Sequence, residues 1–352
     1  MRDPTTKEDL DFIISSDIPW ESLEGKNVLI TGANGFLPAY MVETILYLNE
    51  IRFKKKANVL AVVRNKNRAL KRFSNYKNVE ELKFYVHDVC EPFEIKENIH
   101  YIIHAASQAS PKFYKKDPVG TLCPNALGTY YLLTLAKEKD VDSFLFFSSG
   151  EVYGEVEGDK IPIKEESYGY VDPIDVRSCY AESKRMGENM CIAFFKQFDV
   201  PTKIVRPFHT YGPGMKLDDE RVFADFVSNI INKEDLIMKS DGSAIRAFCY
   251  LADAVSGYFT VLLNGENGSA YNVGNDKCEV SILNLAERLV NSFPEYNLKV
   301  IRKEREDSIY LESKISRSSP DISKIRSIGW EPYYSIEKGF RRTVKSFEHL
   351  DR

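Results

Sequence analysis

Tyr180 and Lys184 stand four residues apart in Ser178-Cys179-Tyr180-Ala181-Glu182-Ser183-Lys184. On a helix, side chains at i and i+4 share a face, so this spacing sets an ammonium beside a phenol. The positive charge favours phenolate and is expected to pull the tyrosine below its reference pKa of about 10. Upstream, Phe147-Ser148-Ser149-Gly150-Glu151-Val152-Tyr153-Gly154 offers a hydroxyl, Ser149, and an acid, Glu151. Further upstream still, Thr31-Gly32-Ala33-Asn34-Gly35-Phe36 is a glycine turn of the dinucleotide-binding kind. A base, a hydroxyl that can hold an oxygen and a place for a redox cofactor together imply hydride chemistry on an alcohol.

Each signal alone is common. A tyrosine one turn from a lysine is, in most helices, a solvated surface pair. Their order supplies the specificity: the glycine turn follows one apolar run, the Ser149 segment follows another, and the Tyr180 helix comes next.

Those pieces need elements to carry them. Continuous apolar runs of strand length at 28–30, 59–63, 82–86, 101–103, 144–147 and 203–205 alternate with helix-length stretches. Uninterrupted rather than alternating apolar strands imply a sheet covered on both faces. The predicted fold is α/β, a doubly wound parallel sheet (Rossmann) with a smaller mixed C-terminal substrate lobe. Two long helices are predicted, at 118–139 and 180–198. The second carries Met186, Met190, Ile192, Ala193 and Phe194, more apolar surface than one sheet face covers, so a homodimer through a helical bundle is expected.

Residues 1–25, with Leu10, Phe12, Ile13, Ile14 and Trp20, read as an N-terminal arm or extra helix packed outside. Residues 26–205 form the dinucleotide-binding domain, with returns near 246–275. There Phe248-Cys249-Tyr250-Leu251 and Tyr271-Asn272-Val273-Gly274 are expected to rejoin the sheet. Residues 206–352 mainly build the substrate lobe.

Composition narrows the class. The chain has 352 residues and a formal net charge of -4, and its basic residues form no stripe of the kind nucleic acid requires. Lys54-Lys55-Lys56 reads as a short solvated face. No apolar run approaches the roughly 20 residues of a membrane span, and the polar, acidic start is unlike a signal peptide. The cysteines (Cys90, Cys123, Cys179, Cys191, Cys249, Cys278) are scattered, without paired spacing or clustered histidines. They read as reduced thiols of a cytoplasmic protein, with no metal site expected.

At the cofactor end, Gly32 permits the tight turn and Gly35 lets backbone approach a pyrophosphate at the helix start. Pro38 takes the place where glycine or alanine is usual, tolerable because an early helix position lacks an N–H partner anyway. After the second strand, Arg64-Asn65-Lys66-Asn67-Arg68 offers no acid for a ribose 2′-hydroxyl. Arg64 suits a 2′-phosphate, so the cofactor is NAD or NADP with a lean to NADP; a surface arginine is the plain alternative. Asp88 and Val89 are placed to flank the adenine, and Ala105 and Ala106 to pass under the ribose.

These residues are recognisable. His104-Ala105-Ala106-Ser107-Gln108-Ala109-Ser110-Pro111, Glu151-Val152-Tyr153-Gly154, Arg177-Ser178-Cys179-Tyr180 with Lys184-Arg185, Tyr211-Gly212-Pro213, Arg221-Val222-Phe223, Gly242 to Phe248 and Pro320-Asp321-Ile322 recur in one family. Over nearly its whole length the chain resembles the extended short-chain dehydrogenase/reductase family, in its nucleotide-sugar epimerase/dehydratase branch. Its likeness there is to UDP-glucuronate decarboxylases, relatives of the sugar 4,6-dehydratases.

The resemblance implies a tightly held nicotinamide cofactor and a nucleoside-diphosphate sugar as partner. Asn34, Phe36, Leu37 and Pro207 would join the cofactor wall. Ser149 and Tyr180 would address the sugar C4 hydroxyl, with Lys184 also on the nicotinamide ribose. Arg221 and Arg246 would grip the phosphates, while Ser107, Ser110, His209 and Arg317 would complete the substrate site. After oxidation at C4, three outcomes stay open: loss of a C5 carboxylate, loss of the 6-hydroxyl, or inversion of a centre.

Glu151 points to decarboxylases and dehydratases, since simple 4-epimerases of the branch usually lack an acid there. Its plain alternative is a helix-start acid accepting backbone N–H groups. Gly150 stands where dehydratases carry the aspartate that protonates the leaving hydroxyl, which favours decarboxylation. Three further departures are Gln108 for proline, His209 for asparagine, and Arg317 lying one residue earlier than the family's arginine before Pro320-Asp321. A 4-ketoreductase consuming NADPH and a non-catalytic nucleotide-sensing protein are the competing readings; the intact Ser149, Tyr180 and Lys184 set argues against the latter.

Overall fold

Strands that are apolar on both sides need helices on both faces, and the chain folds accordingly in its computed structural model, which describes residues 2–219, 221–303 and 315–348. A first helix, α1 (Pro4–Ser15), precedes β1 (Asn27–Thr31), α2 (Phe36–Ile51), β2 (Asn58–Val63), α3 (Lys66–Arg72), β3 (Leu82–Val86) and β4 (Tyr101–His104). Then come α4 (Lys112–Lys116), α5 (Pro118–Lys139), β5 (Ser143–Phe147), α6 (Cys179–Phe198) and β6 (Thr202–Pro207). The remainder interleaves β7 (His209–Tyr211), α7 (Val222–Ile231), β8 (Leu236–Met238), β9 (Ile245–Tyr250), α8 (Leu251–Asn264) and β10 (Ser269–Val273). Last are β11 (Glu279–Ser281), α9 (Ile282–Ser292), β12 (Val300–Arg302), β13 (Arg317–Ser318), α10 (Ser323–Arg326) and α11 (Ile336–Glu348).

The main sheet has seven strands in the order β10-β6-β5-β4-β1-β2-β3, every neighbouring pair parallel. This is the predicted doubly wound sheet. Strand order reverses between β1 and β4, so a crevice opens beyond their carboxyl ends, where such folds bind ligands. Of the two predicted long helices, one matches its expected bounds and the other starts one residue early, at Cys179. The start of α5 is set by Asp117, whose carboxylate accepts the N–H of Gly120 at 3.1 Å, with Pro118 in the first turn.

One expected return is corrected. The Tyr271 segment does rejoin the main sheet as β10, beside β6. The Phe248 segment does not: β9 pairs instead with β7, β11 and β13 in a smaller mixed sheet. There Arg246, opposite Ser318 of β13, lines a cavity.

The N-terminal arm is a helix bound by more than apolar contact. Leu10 and Ile13 are fully buried, and so is Asp9. Its carboxylate accepts Arg342 Nη2 at 2.6 Å and the Tyr250 hydroxyl at 2.8 Å, tying α1 to α11 and to the end of β9. Removing one partner strands the other in a nearly dry site. Asp9→Ala should therefore cost about 3 kcal/mol of unfolding free energy in urea titration, at unchanged m-value.

Candidate active site

Beyond the carboxyl end of β1 the chain turns sharply at Gly32, which has φ +63°. A Cβ there would come within 2.8 Å of the Ala106 Cα, so only glycine lets β1 and the segment after β4 approach so closely. Gly35 then caps α2 without any side-chain bond, leaving the first N–H groups of the helix for an anion. The turn at Ala105-Ala106 is fixed from below. His104 Nε2 can only donate to the Pro124 carbonyl at 3.0 Å, so its Nδ1 accepts the Thr31 hydroxyl at 2.8 Å. The Thr31 oxygen in turn accepts the N–H groups of Ala105 and Ala106, each at 3.2 Å. Burial, then the charge of Lys184, pushes the His104 pKa down to about 3, keeping the ring neutral as that chain requires.

These residues fit a dinucleotide: a glycine turn, an uncapped helix start and a backbone rail on either side of the strand-order reversal. Arg64 is exposed just past β2, Asp88 is half-buried with its carboxylate accepting the Cys90 N–H, and Val89 is buried. Gly32, Asn34, Gly35, Arg64, Asp88, Val89 and Ala106 lie outside the lining of the main cavity. Phe36, Leu37, Ala105 and Pro207 line it.

That cavity, about 880 Å³, also gathers Ser149, Glu151, Tyr180 and Lys184. From α6, Tyr180 and Lys184 line it, and Glu188 follows one turn further on along the same helix face. Tyr180 is buried and its ring stacks on Tyr114, with centroids 5.2 Å apart and planes 13° from parallel. The Lys184 Nζ donates to the Phe147 carbonyl at the end of β5 and sits 5.8 Å from the Tyr180 ring centre. Beneath it, Glu188 is held by Arg206 at 2.6 and 2.8 Å and by the Ser148 hydroxyl.

The expected fall of the tyrosine pKa is not found. Burial raises it to about 12, against the opposing pull of the Ser149 hydroxyl bond, while Glu151 adds to the rise. Burial acts on Lys184 as well, lowering it to about 7 despite Glu188. Desolvation of both groups outweighs an attraction acting across the width of a ring.

Glu151 does not cap a helix with its carboxylate. Its own N–H is taken by the Ser149 oxygen at 3.2 Å, and its carboxylate faces Arg177 at 3.8 Å. Across the cavity stand Ser107, His209, Arg221 and Arg246. Arg221 is paired with Asp219, and Arg246 donates to the carbonyls of Ile245 and Ile315, each at 2.8 Å. His209 packs on Phe248, and burial, then Arg246 and Arg221, holds its pKa well below the usual value. Three buried polar atoms of residues lining the cavity have no hydrogen-bond partner among the described residues: Ser107 Oγ, Arg177 Nε and His209 Nδ1. Unmade bonds of this kind are costly, and a polar ligand would fill them.

Two expected substrate residues are not brought to the cavity. Ser110 turns its hydroxyl onto the Asp219 carbonyl at 2.9 Å. Arg317 pairs with Glu279 on the opposite face of the small sheet. β13 runs beside β9 with Ser318 opposite Arg246, so Ser318 shares the cavity face and Arg317 the other. A shift of one residue along a strand reverses the side chain's face. Gln108 likewise turns away, donating to Asp117 at 2.8 Å.

Residues 28–274 match the NAD dependent epimerase/dehydratase family. The chain belongs to that family. It is 33% identical over 329 residues to UDP-glucuronic acid decarboxylase 1 of Xenopus tropicalis, covering 92% of this chain and 72% of that protein. It is 34% identical to UDP-glucuronic acid decarboxylase 3 of Arabidopsis thaliana, covering 91% and 88%. The fold is shared with UDP-glucuronic acid 4-epimerase from Bacillus cereus, solved with UDP-glucuronic acid and NAD, at TM-score 0.77 and 22% identity over 92% of this chain and 99% of that one. Among the described residues no group of acids, histidines and cysteines could hold a metal ion, and no helix is long and apolar enough to cross a membrane.

In this member of the NAD dependent epimerase/dehydratase family, sequence reading missed the supports of the site. Glu188 was legible in principle, one turn beyond Lys184 on the same face. Thr31 and Tyr114 carried no such signal, because their partners are distant in the chain. The Lys184 nitrogen lies 5.8 Å from the Tyr180 ring centre, and removing its charge must make phenolate harder to form. Lys184→Met should move the acid limb of the kcat/KM profile upward by about one pH unit or more, and slow turnover at neutral pH by about 100-fold. An unmoved limb would assign the lysine to structure alone.

Proposed function

We propose that this protein oxidises the C4 hydroxyl of a nucleoside-diphosphate sugar and uses the 4-ketone to release the C5 carboxylate, acting as a decarboxylase on UDP-glucuronate. The reading is carried by one observation: Ser149, Glu151, Tyr180 and Lys184 share a cavity with three buried polar atoms that lack partners among the described residues. A bound nicotinamide dinucleotide supplies the hydride acceptor and donor. Tyr180 takes the proton from the sugar hydroxyl, Ser149 holds that oxygen, and the Lys184 charge favours the phenolate. The ketone then lets negative charge spread from C5 as carbon dioxide departs.

Gly150 supports decarboxylation over dehydration. At the position where a dehydratase carries the proton donor for a leaving hydroxyl, Gly150 offers no acid, and the Phe208 ring lies 3.4 Å from where a Cβ would stand. Incubation with UDP-glucuronate should give a product lighter by one carbon dioxide, about 44 mass units, and dTDP-glucose should give no loss of water. Tyr180→Phe should abolish the conversion; turnover at the parent rate would dismiss the assignment.

The NAD or NADP preference turns on Arg64. No acid stands after β2 to bind a 2′-hydroxyl, and the exposed guanidinium suits a 2′-phosphate, which supports NADP. Arg64→Ala should weaken NADP by about tenfold in a binding titration and leave NAD within about twofold. A parent that prefers NAD would end the lean to NADP.

The cofactor half comprises residues 26–205 with β10, and most of the remainder forms the substrate lobe. A homodimer is supported by Val119, Leu127 and Tyr130, which are 64%, 47% and 49% exposed along one stripe of α5, and by Met186 of α6 at 50%. Two such helix pairs would bury each other as a four-helix bundle.

A further inference from the structure

Arg177 lines the cavity with Tyr180 and has a buried Nε–H without a hydrogen-bond partner among the described residues. It sits in the single turn Val176–Ser178 that leads into α6, and its backbone is pinned by its N–H donating to Asp175 Oδ1 at 2.9 Å. The guanidinium lines the same wall as Ser149, Glu151 and Tyr180. Its Nη1 stands 3.8 Å from Glu151, close enough for attraction but too long for a hydrogen bond, and its buried Nε–H has no partner among the described residues.

The other cations of the cavity are engaged or remote. Arg221 gives both Nε and Nη2 to Asp219, a carboxylate almost completely buried. Arg246 donates to the carbonyls of Ile245 and Ile315. Lys239 pairs with Asp225, and Arg302 stands exposed at the rim on β12. Arg317 faces away from the cavity altogether.

We propose that Arg177 is the specificity-determining residue that binds the carboxylate at C5 of the sugar, a role that Arg317 cannot fill in this chain. The proposal rests on the nucleotide-sugar reading above, and deepens it by naming what tells an acidic sugar from a neutral one. A guanidinium presents adjacent N–H groups in a fixed fork that matches a carboxylate, which a lysine cannot reproduce. Its position three residues before Tyr180 sets the C5 substituent next to the C4 hydroxyl that Tyr180 addresses.

Binding of UDP-glucuronate and of UDP-glucose, which lacks the carboxylate, to the full chain by calorimetry tests this. The parent should bind UDP-glucuronate more tightly. Arg177→Gln should weaken UDP-glucuronate by about tenfold or more while UDP-glucose stays within about twofold, and Arg177→Lys should recover only part of the loss. Arg317→Gln should leave both affinities unchanged. Equal losses on both sugars in the two Arg177 variants would overturn the proposal, as would a parent without preference or a collapse of selectivity in Arg317→Gln. Carbon dioxide release is scored separately. A parent that selects UDP-glucuronate but releases no carbon dioxide refutes decarboxylation and leaves Arg177 as the carboxylate reader.

Discussion

Burying an ammonium without a carboxylate bonded to it is the constraint around which this site is organised. The nitrogen of Lys184 has the carbonyl of Phe147 as its protein acceptor, at the point where β5 ends and the sheet stops supplying hydrogen bonds. The helix must therefore cross the carboxyl end of that strand, and Tyr180, one turn earlier, is carried into the crevice with it. Glu188, one turn later, is held by Arg206 and Ser148, so it steadies the lysine electrostatically without quenching it. A carboxylate bonded directly to the ammonium would fix the charge but occupy the donors that a ligand needs.

The same economy governs the cofactor side. Neutral His104, fully buried, converts the carbonyl of Pro124 into a fixed orientation of Thr31, and Thr31 into a fixed path for two backbone amides. Each group in that chain has one role left once its neighbour is satisfied, so no tautomer other than Nε2–H serves it. The rail at Ala105 and Ala106 is thereby rigid before any ligand arrives, which lowers the ordering cost of binding.

Specificity depends on a smaller geometric fact. Strand side chains alternate between faces, so residue 317 and residue 318 belong to different environments although they are neighbours in the chain. The arginine goes to Glu279 and the serine to the cavity. With Arg317 turned to Glu279, Arg177, on a separate element, lines the cavity with a buried N–H that has no partner among the described residues.

Much of this protein follows from local pattern. Continuous apolar strands alternating with amphipathic helices dictate a parallel sheet between helices, and the glycine turn after the first strand is of the kind that holds a dinucleotide. Tyr180, Lys184, Ser149 and Glu151 were legible because their spacing relative to those elements is short-range. What only the tertiary structure decided is long-range or depends on environment. The path of β9 into the smaller sheet, the grip of Asp9 on Arg342, and the facing of Arg317 away from the cavity all join residues far apart in the chain. So does the pKa of Tyr180: helical spacing correctly places the ammonium near the phenol, but how much water the fold removes decides the sign of the shift, and water removal is a property of the packed whole.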